Sequence, residues 1–265
     1  MFIFRPVTFS QCREEYIAYT GGLRLVDTYW ENVILAADLF QISLDGKVVG
    51  YCSVCNRKEW EEYRYLTSFF LLSGHSGAAR WLKPAFEALL REFKPVGALA
   101  VTGDETFLSL CMDYCREAKP YAYFFDYVGP AQGQAAPPAY PLRMVLPATE
   151  SDLPDLLESG FYHDLELHNS ENKLYVLRDV DGTYLGTGHI ARMLLNRSWG
   201  AVGMCTAPGH RKKGVGRSII LAMAEIARRD GLVPIAGCKW VNTASRATLE
   251  SSGFASCTRY LRFEF

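Results

Sequence analysis

Apolar residues recur three and four apart in two long stretches of the chain. In one, Val215, Ile219, Met223, Ile226 and Ala227 form a single stripe that ends at Arg228, Arg229 and Gly231. In the other, Trp81, Leu82, Ala85, Phe86, Leu89, Leu90 and Phe93 do the same. That period is helical, and a stripe of this width is a core face, so the pattern predicts two amphipathic helices. Glycine after a basic last turn is a stop signal. Elsewhere the period drops to two. Tyr121, Tyr123, Phe125 and Tyr127 alternate and predict a strand with one aromatic face, which serves sheet packing or, as the alternative, walls a ligand. Asp45-Gly46 and Asp181-Gly182 each separate two alternating apolar runs and predict hairpins, because these residues accept the positive φ of a tight turn.

The pattern occurs twice, at an offset of about 137 residues. Asp45-Gly46 with Val48, Val49, Gly50 and Tyr51 parallels Asp181-Gly182 with Tyr184, Leu185, Gly186 and Thr187. Phe4-Arg5-Pro6-Val7 answers Leu142-Arg143-Met144-Val145, and Gly77 answers Gly214. The halves read as a duplication. Each is ordered as strand, helical region, hairpin, strand, glycine turn, helix, strand, helix and closing hairpin. Between them, residues 129–141 are rich in proline, contain glycine and carry no charge, the composition of a semi-extended linker. The expected domains are therefore residues 1–128 and 142–265, joined by 129–141.

Composition narrows the function classes. At 265 residues, 49% hydrophobic and 22% charged, the chain is long enough for two cores and is neither disordered nor fibrous. Lys plus Arg number 28 against 29 Asp plus Glu, a net charge of -1. That balance speaks against nucleic acid or an anionic membrane as a main partner. No run of about 18 apolar residues occurs, so no membrane span is expected. The N-terminal residues lack the charged-then-apolar order of a signal peptide, and a cytoplasmic location is expected. Eight cysteines sit mostly in apolar runs, where a reduced thiol behaves as a small hydrophobe. Cys52 and Cys55 have zinc-like spacing, but three residues apart on a strand they diverge. Cys111 and Cys115 share a helical spacing and are read as thiols, so no metal is expected. A homodimer stays open.

Candidate chemistry gathers at Thr206-Ala-Pro208-Gly-His-Arg211-Lys212-Lys213-Gly214-Val215-Gly216-Arg217-Ser218, between a predicted strand at 199–205 and the second long helix. A glycine-rich strand-to-helix turn aims free N–H groups and the positive end of the helix dipole at an anion. Arg211, Lys212, Lys213 and Arg217 add full charges, so the turn suits a dianion such as a pyrophosphate. A Walker A string is absent, and the turn lies too late in its half for a dinucleotide-binding fingerprint.

Arg211-Lys-Lys-Gly214-Val215-Gly216 resembles the [RQ]xxGx[GA] motif of the GNAT N-acetyltransferase superfamily. Asn242-Thr-Ala-Ser245, in the run that ends Gly253-Phe254, is similar to that family's Asn-x-x-[AS] helix. The resemblance implies an α/β fold of the α+β type: two tandem copies, each a mixed, mostly antiparallel twisted sheet flanked by helices. It also implies acetyl-CoA as cosubstrate. The turn from Arg211 to Arg217 would hold the pyrophosphate, Asn242 and Ser245 would lie beside the pantetheine arm, and backbone groups of Met204, Cys205 and Thr206 would take the arm and the acetyl carbonyl. The first half keeps the order of elements but not the chemistry. Its turn, Gly74-His75-Ser76-Gly77-Ala78-Ala79, has no basic cluster, and Glu105 stands where Asn242 stands in the second half. An acid there repels a phosphate-bearing ligand, so the first half reads as a degenerate copy that packs, shapes or covers the second.

The second half departs from the family in its proton carriers. Gly200 stands where many members have a Glu, and Leu249 where many have a Tyr. A water could take the amine's proton instead, organised by His189 or by His163, Asp164, Glu166 or His168. Two readings follow. One is an N-acetyltransferase that moves an acetyl group to a primary amine, of a small molecule if the first half encloses the pocket. The other is an acyl-CoA-binding regulatory or interaction module without turnover. Tandem aminoacyl transferases that use RNA are a third reading, against which the charge balance speaks.

Overall fold

A computed structural model describes residues 1–58, 62–72, 79–129, 137–158 and 173–265. The described chain forms two compact units, Met1–Ala122 with Thr258–Phe265, and Tyr123–Cys257.

The first unit runs β1 (Phe2–Val7), α1 (Phe9–Gly22), α2 (Thr28–Ala36), β2 (Asp38–Leu44), β3 (Lys47–Cys55), β4 (Tyr65–Leu71), α3 (Ala79–Phe93), β5 (Gly97–Val101) and α4 (Glu105–Tyr114), then enters β6 (Glu117–Tyr127). Strands β1 to β4 pair antiparallel in chain order, and β4 pairs parallel with β5. The second unit repeats this plan. Its elements are β7 (Val145–Pro147), α5 (Leu153–Glu158), β8 (Lys173–Arg178), β9 (Tyr184–Arg192), β10 (Trp199–Thr206), α6 (Val215–Arg229), β11 (Val233–Lys239) and α7 (Thr243–Ser251), leading into β12 (Phe254–Glu264). Again four strands pair antiparallel in order and the fifth joins parallel. Each unit is thus a mixed sheet with helices against it.

The expected closing hairpins are single long strands. Each of β6 and β12 is one extended run of eleven residues. Strand β6 begins in the first unit and ends in the second, and β12 does the reverse. The Asp45-Gly46 turn is the two-residue hairpin its sequence predicts: both residues have positive φ (50° and 79°), and Leu44 pairs with Lys47. Asp181-Gly182 belongs to a longer loop, in which Asp179 N–H donates to the Thr183 carbonyl, and Gly182 alone of the pair takes positive φ.

Helix α6 matches its stripe, with Val215, Ser218, Ile219, Ala222, Met223 and Ala227 buried. Its end is a Schellman turn: Leu232 N–H donates to the Ala227 carbonyl and Gly231 N–H to that of Arg228, with Gly231 at φ 75°. Two glycines of β9 set how closely this helix lies on the sheet. A Cβ at Gly188 would stand 2.6 Å from Ile219 Cγ2 and 2.9 Å from Met223 Cγ, and one at Gly186 3.0 Å from Ile219 Cδ1. The helix that opens at the glycine-rich turn is therefore seated on bare backbone.

Gly188→Ala is expected to destabilise the protein by about 2 kcal/mol through overpacking under α6, read from urea unfolding; an unchanged midpoint would show that α6 is not seated by this glycine.

Candidate functional site

Strands β10 and β11 pair only at Trp199–Val233, Gly200–Pro234 and Ala201–Ile235, although β10 continues to Thr206 and β11 to Lys239. Beyond Ala201 they diverge. On its other edge β10 stays in register with β9 as far as Thr206, and Ala207 N–H donates to the Leu185 carbonyl. In an antiparallel ladder, alternate residues bond to the same neighbour. The odd-numbered residues of β10 therefore serve β9, while Val202, Met204 and Thr206 turn their backbone groups toward the opening. Of the three residues expected to line the arm, Met204 and Thr206 face the divergence. Cys205 turns its backbone to β9.

The chain then enters the turn. Lys212 (φ 60°) and Gly214 (φ 79°) are both left-handed, and Gly214 is the N-cap of α6. The helix's first internal bond runs from Ser218 N–H to the Gly214 carbonyl, so the amides of Val215, Gly216 and Arg217 lack intrahelical acceptors. Glycine at 216 brings this turn against the end of β10, since a Cβ there would lie 3.1 Å from Thr206 Oγ1. Arg211, Lys212 and Lys213 are exposed. The field of Arg211 reaches Cys205, partly offsetting the burial that pushes that thiol's pKa up. Arg217 differs from the other three cations: its Nε donates to the Ser251 carbonyl (3.2 Å) and its Nη1 to that of Pro137 (3.1 Å).

Asn242 is the N-cap of α7, its Oδ1 accepting from Ser245 N–H at 3.1 Å. That bond spends the side-chain oxygen and leaves the amide Nδ2 as a donor. Nearby is a feature the sequence pattern did not single out. The Trp240 ring, partly exposed, stacks on Tyr123 with centroids 4.4 Å apart, and the Arg246 guanidinium lies 4.6 Å from the Tyr123 ring centre. The available signal was an aromatic residue two positions before the helix cap.

The proton-carrier positions are sealed. Gly200 is buried, and a Cβ there would meet Leu232 Cδ1 at 3.0 Å; Leu249 lies in the core. His189 pairs with Gly203 across the β9–β10 ladder, and its ring lies where a Cβ of Gly203 would be. Burial pushes the His189 pKa down to about 4, so the imidazole is neutral at physiological pH. His163, Asp164, Glu166 and His168 lie outside the described residues, as do residues 74–78 of the first half's turn.

In the first unit β4 and β5 pair only at Tyr65–Gly97 and Leu66–Ala98 before diverging. The residue in the place of Asn242 is Asp104, the N-cap of α4, and not Glu105, which begins the helix. Offset counting missed this because loop lengths differ between the halves by a residue. Asp104 accepts from Phe107 N–H and from the hydroxyl of Tyr19, whose ring stacks on Phe70 at 4.3 Å. Among the described residues no group of three or more His, Cys, Asp or Glu could hold a metal, no disulfide forms, and no helix is long and apolar enough to cross a membrane.

Two family models match the chain, an acetyltransferase (GNAT) domain over residues 7–128 and the acetyltransferase (GNAT) family over 140–254. A comparison with curated protein sequences finds no match. Among solved structures, an acetyltransferase from the GNAT family of Colwellia psychrerythraea superposes with a TM-score of 0.80 at 18% identity, covering 99% of each chain. A tandem GNAT protein from the clavulanic acid biosynthesis pathway gives 0.60 at 14% identity over 99% of this chain and 98% of that one. A putative acetyltransferase from Pyrococcus horikoshii gives 0.56 at 9% identity over 100% and 89%. These likenesses are of fold, while the two family matches together span most of the sequence, and on them the chain belongs to the GNAT acetyltransferase family, with two such domains in tandem.

Proposed function

We propose that the second unit moves an acetyl group from acetyl-CoA to the primary amine of a small molecule, by direct attack with both substrates bound. The observation that carries this reading is the junction at Thr206. There a strand that has left its neighbour runs into a left-handed turn and a helix N-terminus flanked by exposed cations.

The residues suit an acyl-CoA. When bound, it supplies an acyl group activated as a thioester. The amides of Val215, Gly216 and Arg217 donate to pyrophosphate oxygens, with the helix dipole behind them and Arg211, Lys212 and Lys213 neutralising charge. Backbone groups of Met204 and Thr206 take up the pantetheine amides as an absent strand would. A β10 amide in the opening donates to the carbonyl oxygen as it gains charge, a contact worth about 3 kcal/mol in the barrier. Asn242 Nδ2 and the Ser245 hydroxyl add polar partners along the arm. In the first unit, an acid at the position of Asn242, already bonded by Tyr19, supports the reading of a copy without this cofactor.

The proton is handled differently from the rest. Gly200 and Leu249 carry none, and an imidazole with a pKa of about 4 is too weak a base to draw a proton from an ammonium near 10. The amine enters deprotonated or loses its proton to water, with His189 in the lesser role of holding that water. As the C–N bond forms and the C–S bond breaks, the proton shed by the nitrogen goes to the departing thiolate, which leaves as the free thiol. The sealed positions at Gly200 and Leu249 favour a second reading, an acyl-CoA-binding module without turnover. The choice of a small molecule over a protein lysine extends the expectation drawn from the sequence.

In calorimetric titration the wild type is expected to bind one acetyl-CoA per chain, and Arg211→Glu to bind at least about tenfold more weakly, since the reversed charge repels phosphate; equal binding would remove the turn from the site. Against a panel of small amines and lysine peptides, thiol release is expected for a small amine. Its kcat/KM should rise about tenfold per pH unit from pH 6 to 8 as free amine accumulates, with no inflection near 6.5, because His189 stays neutral down to about 4. An inflection near 6.5 that vanishes in His189→Gln would make His189 the general base, and binding without thiol release would favour the second reading.

A further inference from the structure

Residues 137–140 leave the linker and lie across the first turn of α6. Ala139 sits against the N-cap, so that a Cβ on Gly214 would be 2.6 Å from Ala139 Cβ. Tyr140 N–H donates to Ser218 Oγ at 3.0 Å, and that fully buried hydroxyl donates to the Gly214 carbonyl at 3.1 Å. Arg217 Nη1 holds the Pro137 carbonyl, while its Nε holds that of Ser251, the last residue of α7. Tyr140 and Leu142 then pack on the second unit's core.

These contacts give Arg217 a different role from its basic neighbours. A guanidinium that donates Nε to one segment and Nη1 to another is fixed between them, and only its remaining N–H groups are left for any other partner. The strap also presses from outside on the residue whose left-handed backbone gives the turn its shape, with the smallest side chain that has a Cβ. The turn is therefore built from two pieces of chain, 211–217 and 137–140.

We propose that residues 137–140 are part of the acyl-CoA site: they hold the first turn of α6 in the form that receives the pyrophosphate, and the side chain of Arg217 acts there by position, clamping this strap and α7 to the turn. This rests on the reading that the second unit binds acyl-CoA. Lysine at 217 keeps the positive charge but lacks the planar fork that bridges two carbonyls, so Arg217→Lys separates clamp from charge. Ala139→Leu disturbs the strap with no change of charge, and Ser218→Ala removes the acceptor of Tyr140 N–H.

The test is calorimetric titration of acetyl-CoA into the full-length wild type and the three variants, each first checked for a cooperative melt. The expected result is binding at least fivefold weaker in Arg217→Lys and in Ala139→Leu, with the KM for acetyl-CoA raised to match while kcat and the amine KM hold. Should Ala139→Leu fail to fold, Ser218→Ala carries the strap arm with the same expected loss. Wild-type affinity in Arg217→Lys would mean that Arg217 acts by charge and would overturn the clamp. Wild-type affinity in the strap variants, or a fall in kcat with KM unchanged, would overturn the strap as part of the cofactor site. In both cases the acyl-CoA reading stands. A wild type that does not bind acetyl-CoA at all sinks that reading, and the strap's role with it.

Discussion

Past Ala201, strand β10 is held from one side. Its ladder to β9 continues to Thr206, but the backbone groups of Met204 and Thr206 on the other edge have lost the strand they would pair with. Backbone groups that lose a neighbouring strand need other partners, from water or from a ligand. A fold that keeps such an edge has left a position for something shaped like a strand. In the proposed function an extended arm with amides of its own meets that requirement, and the turn that follows anchors its charged end. The bare backbone at Gly186, Gly188 and Gly216 completes the arrangement, because it brings α6 onto β9 and the end of β10 without side chains between them.

The first unit has the same divergence, and there a side chain of α1 reaches it. There β4 and β5 part after Leu66 and Ala98, and Tyr19 stacks on Phe70 of β4 while its hydroxyl bonds to Asp104, the cap of the helix after β5. One side chain of α1 thus touches both the outgoing strand and the neighbouring cap. The change at the cap, asparagine in one copy and a buried aspartate in the other, goes with that difference. Asp104 has its pKa raised by burial and is engaged by tyrosine, whereas Asn242 is exposed and caps with its oxygen alone.

Much of this was legible in the chain because it is encoded locally. The α6 stripe, the Gly231 stop, the Asp45-Gly46 hairpin and the basic glycine turn each depend on residues within one or two turns of each other, and spacing alone exposes them. Other features were not legible, since they depend on contacts far along the chain. Nothing in the composition of β6 or β12 marks the point where the strand passes from one unit to the other. The commitment of Arg217 to Pro137 and Ser251 joins residues that local spacing cannot pair, so its sequence reads like its three basic neighbours. The sequence places His189 on a hairpin strand, yet its low pKa comes from burial against a partner strand. Asp104 was missed for a simpler reason: a one-residue change in loop length moves the cap from where a fixed offset puts it.

In the proposed function the diverging edge of β10 and the first turn of α6 together receive an acyl-CoA, and the corresponding divergence in the first unit does not. Hydrogen–deuterium exchange on the full-length protein, with and without saturating acetyl-CoA, tests it most directly because it reads individual amides. Slowed exchange is expected at Met204, Thr206, Val215, Gly216 and Arg217, with β4, β5 and the start of α4 unchanged. Protection along β4 and β5, or exchange at residues 204–217 that acetyl-CoA leaves untouched, would contradict it.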